Sequence, residues 1–89
     1  MPRLVFTSHL ATVGPRDATV VPGATVGAAL AQVFVDFPRL KGYVLDDQGR
    51  VRRHVVIFID NERHANDTVL SRSVAADTEI YVLQALSGG

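Results

Sequence analysis

Five consecutive β-branched or aromatic residues, Val55-Val56-Ile57-Phe58-Ile59, sit inside a chain of 89 residues. Such a run suits a central strand that is covered on both faces, or largely so. A central strand needs neighbours on either side and a layer packed over it. The sequence has no cysteine. Disulfides, thiolate metal sites and cysteine nucleophiles are therefore excluded together. A body of this size must then hold itself together by packing alone. With 47% of residues hydrophobic, the composition argues against a disordered chain.

The flanking segments supply the other layers. Residues 3–10, rich in Val, Phe, Thr and Leu, read as a first strand. Gly14-Pro15-Arg16-Asp17 is a turn. Residues 17–21 read as a second strand, antiparallel to the first across a hairpin-length connection, and Pro22-Gly23 closes it. Thr25 is placed to cap a helix. Val26, Leu30, Val33, Phe34 and Phe37 follow at three- and four-residue spacing, which makes them one core-facing stripe. Pro38 restricts the residue before it, so the helix stops near Phe37. Asp46-Asp47-Gln48-Gly49 forms a turn in a short hairpin or an irregular loop. Asp60-Asn61-Glu62-Arg63 is a second turn signal. Leu70 anchors a polar segment, and residues 78–84 form the last long strand. If the first and last strands pair as parallel neighbours at the centre, the chain leaves the sheet at one end. The order predicts an α+β fold, a mixed four- to five-stranded sheet packed on one main helix, in a single domain spanning residues 1–89.

Conventional chemistry is sparse. His9, His54 and His64 stand singly, without metal-site spacing, and read as surface or strand-end residues. No serine lies in a nucleophile elbow. Gly23-Ala24-Thr25-Val26-Gly27 lacks the Gly-Lys-Ser/Thr ending of a phosphate loop. Neither a bound cofactor nor a metal is expected. The formal net charge is zero, so nothing global points to nucleic acid or to an anionic membrane. No apolar run approaches a membrane span, and the first residues lack a signal-peptide pattern. A cytoplasmic location is the expectation. Arg50, Arg52 and Arg53 form the one local basic cluster. It marks the solvent face of an edge strand, where charge discourages aggregation, or else a partner-binding patch.

The C-terminal strand carries more. Side chains alternate across a strand. With Ile80 and Val82 facing the helix, Tyr81 and Leu83 point outward. They form a small docking surface, or they are covered by the excursion of residues 39–53. The sequence then closes on Gly88-Gly89. A C-terminal glycine has no β-carbon beside its carboxylate, and a preceding glycine lets the backbone enter a narrow channel. The free carboxyl, with a pKa near ~3.5, is an anion and a poor acyl donor at neutral pH. As an acyl-adenylate it becomes an electrophile. With nothing else reactive in the chain, the terminus is the candidate reacting group. The bland alternative is a frayed polar end.

Two stretches carry a family likeness. They are Val56-Ile57-Phe58-Ile59-Asp60-Asn61-Glu62 and Leu83-Gln84-Ala85-Leu86-Ser87-Gly88-Gly89. With the strand pair and the helix after Thr25, the whole chain resembles the ubiquitin-like β-grasp sulfur carriers of the MoaD/ThiS family. These include the small subunit of molybdopterin synthase and the sulfur carriers of thiamine thiazole and cysteine biosynthesis. The length, and the insertion around Asp46–Arg53, lean toward the cysteine-biosynthesis type. Many relatives have alanine or valine-alanine before the final glycines, where this chain has Leu86-Ser87. The resemblance implies a carrier rather than an enzyme. An E1-like adenylyltransferase and sulfurtransferase would use ATP to adenylate Gly89 and convert it to a thiocarboxylate. A synthase would then accept the sulfur: a cysteine synthase-like enzyme, the molybdopterin synthase large subunit or a thiazole synthase. It further implies that Gly88 threads the partner's active site, that residues 85–89 are a mobile tail, and that Tyr81, Leu83, Ala85, Leu86 and Ser87 dock. Two alternatives have the same ending. One is a ubiquitin-like modifier forming isopeptide bonds through Gly89, and the other a β-grasp interaction module with an inert tail.

Overall fold

The structure is a computed structural model and describes residues 1–7 and 9–84. Ser8 and the segment expected to be a mobile tail, residues 85–89, lie outside the described residues. Five strands form one mixed sheet: β1 (Arg3–Phe6), β2 (Thr19–Val20), β3 (Val55–Ile59), β4 (Glu62–His64) and β5 (Glu79–Gln84), in the order β2-β1-β5-β3-β4. β1 and β5 pair in parallel, with Leu4 opposite Ile80 and Phe6 opposite Val82. β3 runs antiparallel to β5, with Val55 opposite Gln84 and Ile59 opposite Ile80. The fold is the expected α+β arrangement of the ubiquitin-like β-grasp type.

The apolar run 55–59 becomes an inner strand because β5 pairs along its whole length, β4 pairs with Ile57–Ile59, and Asn66 Nδ2 donates to the Val55 carbonyl beyond the end of β4. Its alternation sorts the two faces. Val55 and Ile57 join Leu4, Phe6, Ile80 and Val82 in the core, all 3% exposed or less. The covering layer is α2 (Val26–Asp36), whose Val26, Ala29, Leu30, Val33 and Phe34 are buried. The Thr25 hydroxyl accepts a hydrogen bond from the Ala28 backbone N–H at 3.1 Å, as an N-cap should. Gly23 precedes it because a Cβ there would lie 2.6 Å from the Ala29 backbone nitrogen.

Four local expectations need correction. The first strand stops at Phe6 rather than at residue 10. Extending it would carry Leu10 roughly 13 Å beyond Phe6. Instead α1 (Leu10–Val13) turns the chain back, and Leu10 is fully buried. The link between β1 and β2 is therefore a helical excursion, not a hairpin loop. Pro38 ends α2 but also begins a second helix, α3 (Pro38–Val44). A missing N–H costs nothing at the first helical position. Phe37 serves both helices, donating its N–H to Val33 O and accepting from Leu40 N–H, each at 3.0 Å. Leu40 and Val44, four residues apart, are both fully buried. Lastly, the turn expected over residues 60–63 is only Asp60-Asn61. Both take positive φ (48° and 70°), and Glu62 already pairs with Ile59 as the start of β4. The Asp46–Gly49 turn is as expected, closed by a bridge between Leu45 and Val51.

Candidate functional site

The side of the sheet away from α2 is an open apolar face. Register places Val5, Tyr81 and Phe58 in one row across β1, β5 and β3. Leu83 and Val56 form the next row toward the Gln84 end. Val5, Phe58, Tyr81 and Leu83 are half-buried, whereas Ile80 and Val82 on the other side are fully buried. The outward direction expected for Tyr81 and Leu83 is thus observed. The alternative cover does not reach them. Leu40, Val44 and Val51, the buried residues of the 39–53 excursion, belong to the main core with Leu4 and Ile57.

Val5, Val56 and Phe58 complete this face and were not singled out by the sequence reading. The signal was present, because the period-2 alternation used for residues 80–83 applies equally to residues 55–59. At the far end from Gln84 the face is bounded by an exposed ion pair, Arg3 Nη1 to Glu79 Oε2 at 3.2 Å. Such a pair contributes little energy, but it marks where the apolar surface ends.

β5 lies between β1 and β3, so the chain leaves the sheet from an inner strand at Gln84. Gln84 is held opposite Val55. Residues 85–89 begin at this point by covalent connection. Ala85, Leu86, Ser87, Gly88 and Gly89 are themselves outside the described residues. Tyr81 and Leu83 are three residues and one residue before that exit.

The basic cluster is not on an edge strand. Arg50, Arg52 and Arg53 lie in the approach to β3. Arg52 has a structural role, donating from Nε to Gly42 O at 2.9 Å. Among the described residues, no group of three or more His, Cys, Asp or Glu side chains comes together as a metal site. No helix among them is long and apolar enough to cross a membrane. Within these residues the geometry offers an apolar surface beside a chain exit.

A mixed sheet of this order, with a main helix across one face and a chain exit from an inner strand, is the ubiquitin-like β-grasp fold. Solved structures agree along the whole chain. SAMP1, the small archaeal modifier protein 1, from Haloferax volcanii is 28% identical with a TM-score of 0.80, over 99% of this chain and 98% of that one. CysO in the BexX/CysO complex of Amycolatopsis orientalis is 19% identical with a TM-score of 0.85, covering both chains fully. CysO of Mycobacterium tuberculosis is 18% identical with a TM-score of 0.83, over 97% of this chain and all of the other. The resemblance to the ubiquitin-like carriers read from the sequence therefore extends through the folded body. No protein-family model matches the chain, and no curated protein matches it in sequence.

Proposed function

We propose that the chain is a sulfur carrier whose reacting group is the carboxyl of Gly89. The observation that carries this reading is the path of β5. An inner strand with Tyr81 and Leu83 on the open face runs straight into the segment that closes on Gly88-Gly89. A partner seated on that face would have the terminus within reach.

In this reading the Gly89 carboxylate attacks the α-phosphorus of ATP on an E1-like enzyme. An acyl-adenylate forms and pyrophosphate leaves. Hydrosulfide then attacks the acyl carbon and expels AMP, leaving a thiocarboxylate and a released proton. The thiocarboxylate sulfur attacks an electrophilic acceptor held by a synthase, and hydrolysis of the acyl–sulfur bond restores the carboxylate. The carrier binds no nucleotide itself; ATP belongs to the activating enzyme. Its own contribution is positional. The folded body fixes where the terminus starts, and Gly88 presents no side chain to a narrow channel. The synthase is a cysteine synthase-like enzyme, a molybdopterin synthase large subunit or a thiazole synthase. The setting is the cytoplasm. That CysO of A. orientalis was crystallised with BexX supports a carrier working with a partner protein.

Intact mass spectrometry after co-expression with the activating enzyme tests this. Exchange of one oxygen for sulfur at the terminal acyl group adds roughly 16 Da. Its absence with a proven cognate enzyme sinks the reading.

The alternative reading is a ubiquitin-like modifier, the role that the name of the H. volcanii relative gives to that protein. Here Gly89 would form an isopeptide bond to lysine on another protein. Lys41 is the sequence's one lysine and is exposed on α3, so chains built through lysine would branch there. Adducts found on other proteins would promote this reading. Deletion of Gly88 and Gly89 separates both from an inert-tail interaction module, which alone would keep its function.

A further inference from the structure

A second surface lies at the same end of the sheet as the chain exit. It is an open groove of about 970 Å³ between residues 49–53 and residues 63–67, with Leu70 beneath. Arg50, Arg53 and Arg63 line it, against one lining carboxylate, Asp67. The whole chain is formally neutral, so this excess of positive charge is local. All three arginines are exposed. None is within salt-bridge distance of a carboxylate among the described residues, where the ion pairs are Arg3 with Glu79 and His64 with Glu62. Asp46 is near Arg50, but its Oδ1 already accepts the backbone N–H groups of Gln48 and Arg50, each at 2.9 Å.

The groove is built rather than incidental. Asn66 donates from Nδ2 to the carbonyls of Arg52 and Val55, at 3.1 and 2.9 Å. This clamps the wall carrying Arg63 to the wall carrying Arg53. Val51, nearly buried, and Leu70 give it an apolar floor. Preorganised walls reduce the entropy lost on binding. The position is also informative. Gln84 pairs with Val55, and His64 with Ile57, so β4 ends on the side from which residues 85–89 depart. β4 is two strand spacings from β5, or about 10 Å.

We propose that this groove receives an acidic protein segment of the enzyme that acts on the C-terminus, as a second contact beside the apolar face. The proposal rests on the reading of Gly89 as the reacting group. Guanidinium groups bind carboxylates through paired hydrogen bonds, and the apolar floor suits aliphatic side chains between them. Single-stranded nucleic acid fits less well, since the one aromatic ring in the lining, the His64 imidazole, is largely buried and lies 3.3 Å from a Glu62 carboxylate oxygen, leaving no exposed platform for base stacking. A free phosphate would fill little of a groove this size. Charge at the rim of an interface mainly speeds association and selects the partner.

The test uses the chain alone. The ¹⁵N-labelled protein is titrated with a blocked synthetic peptide in which glutamate alternates with valine. Inorganic phosphate and a short oligouridylate are titrated in parallel. Saturable amide shifts are expected at Arg50, Arg53, Arg63 and residues 65–67 with the peptide, weakening as salt rises. An R53E/R63E variant should lose at least about tenfold in affinity, as expected for reversing groove charges. An R53Q/R63Q variant checks the loss without reversed charge. No saturable shift overturns the proposal, and so does binding of phosphate or oligouridylate at these residues as tightly as the peptide. Because no activating enzyme is involved, failure here leaves the mass-shift test of Gly89 standing, and the converse holds.

Discussion

Tyr81 lies directly opposite Phe58 across the β3–β5 pair, and both face away from the helix layer. One row further, Leu83 faces Val56. Val56 is buried beneath this row, while Phe58, Tyr81 and Leu83 are half-buried, and a tyrosine with apolar neighbours is a common interface anchor. Leu83→Asp should leave the fold intact, because its side chain is outside the main core. Sulfur loading by the activating enzyme should fall by about thirtyfold, corresponding to the ~2 kcal/mol of a typical hot spot. Val35→Asp is the control. Val35 is 76% exposed on α2, and its change should leave loading untouched. Equal effects from both variants, or none from Leu83→Asp, would remove the open face as the docking surface.

Asn66 should be a stability determinant despite lying in a loop. Its amide nitrogen satisfies two backbone carbonyls, those of Arg52 and Val55, in a part-buried setting. Asn66→Ala leaves both without that donor and should cost about 1–3 kcal/mol. Urea denaturation would read this as a lower midpoint with an unchanged slope. Asn66→Asp should be worse than alanine, since it sets a carboxylate against two carbonyl oxygens. A midpoint unchanged in both variants would refute the clamp.

The Asp60-Asn61 turn makes an opposite-signed prediction. Two residues with positive φ between paired Ile59 and Glu62 are the backbone of a tight two-residue hairpin. Asn61→Gly removes the strain of a left-handed side chain and should change stability by no more than about 1 kcal/mol. Asn61→Val places a β-branched residue at φ 70° and should destabilise by about 1–2 kcal/mol. Thermal melts of the two variants should therefore lie on either side of one another, glycine above valine. The reverse order would contradict the turn geometry.

The elements legible in the sequence are those with a strong period or a long apolar run. Residues 55–59, the stripe from Val26 to Phe34 and the alternation at 80–83 each fix a face. The fold class follows from their order. The missed elements are short, and tertiary contacts decide them. α1 exists because Leu10 must return to the core. α3 was hidden by reading Pro38 only as a stop, though Leu40 and Val44 show helical spacing. β4 is three polar residues, Glu62-Arg63-His64, and only pairing with β3 makes them a strand. On the site, Tyr81 and Leu83 were legible by alternation. The partnership of Arg53 with Arg63 was not, because it joins segments ten residues apart across a hairpin.

Asp46 ties local structure to pH. The Arg50 backbone N–H is the main influence holding its carboxyl below the ordinary range. Desolvation, the next largest influence, opposes it, and the Gln48 N–H and the positive charges of Arg50 and Arg52 add smaller effects in the lowering direction. A folded-state pKa below the unfolded one means the folded chain binds the proton less readily. The contribution to stability is then fully present above the unfolded value, near ~4, and is lost as pH falls through the folded value. Asp46 is partly open to solvent, which screens these charges, so the effect is modest. Melting temperatures followed from neutral pH down to about 3 should drop more for the native chain than for Asp46→Asn, which keeps an acceptor but has no charge to lose. The direct measurement is the carboxyl carbon shift of Asp46 against pH. A midpoint at or above the ordinary aspartate value, near ~4, would show that the turn does not hold the charge.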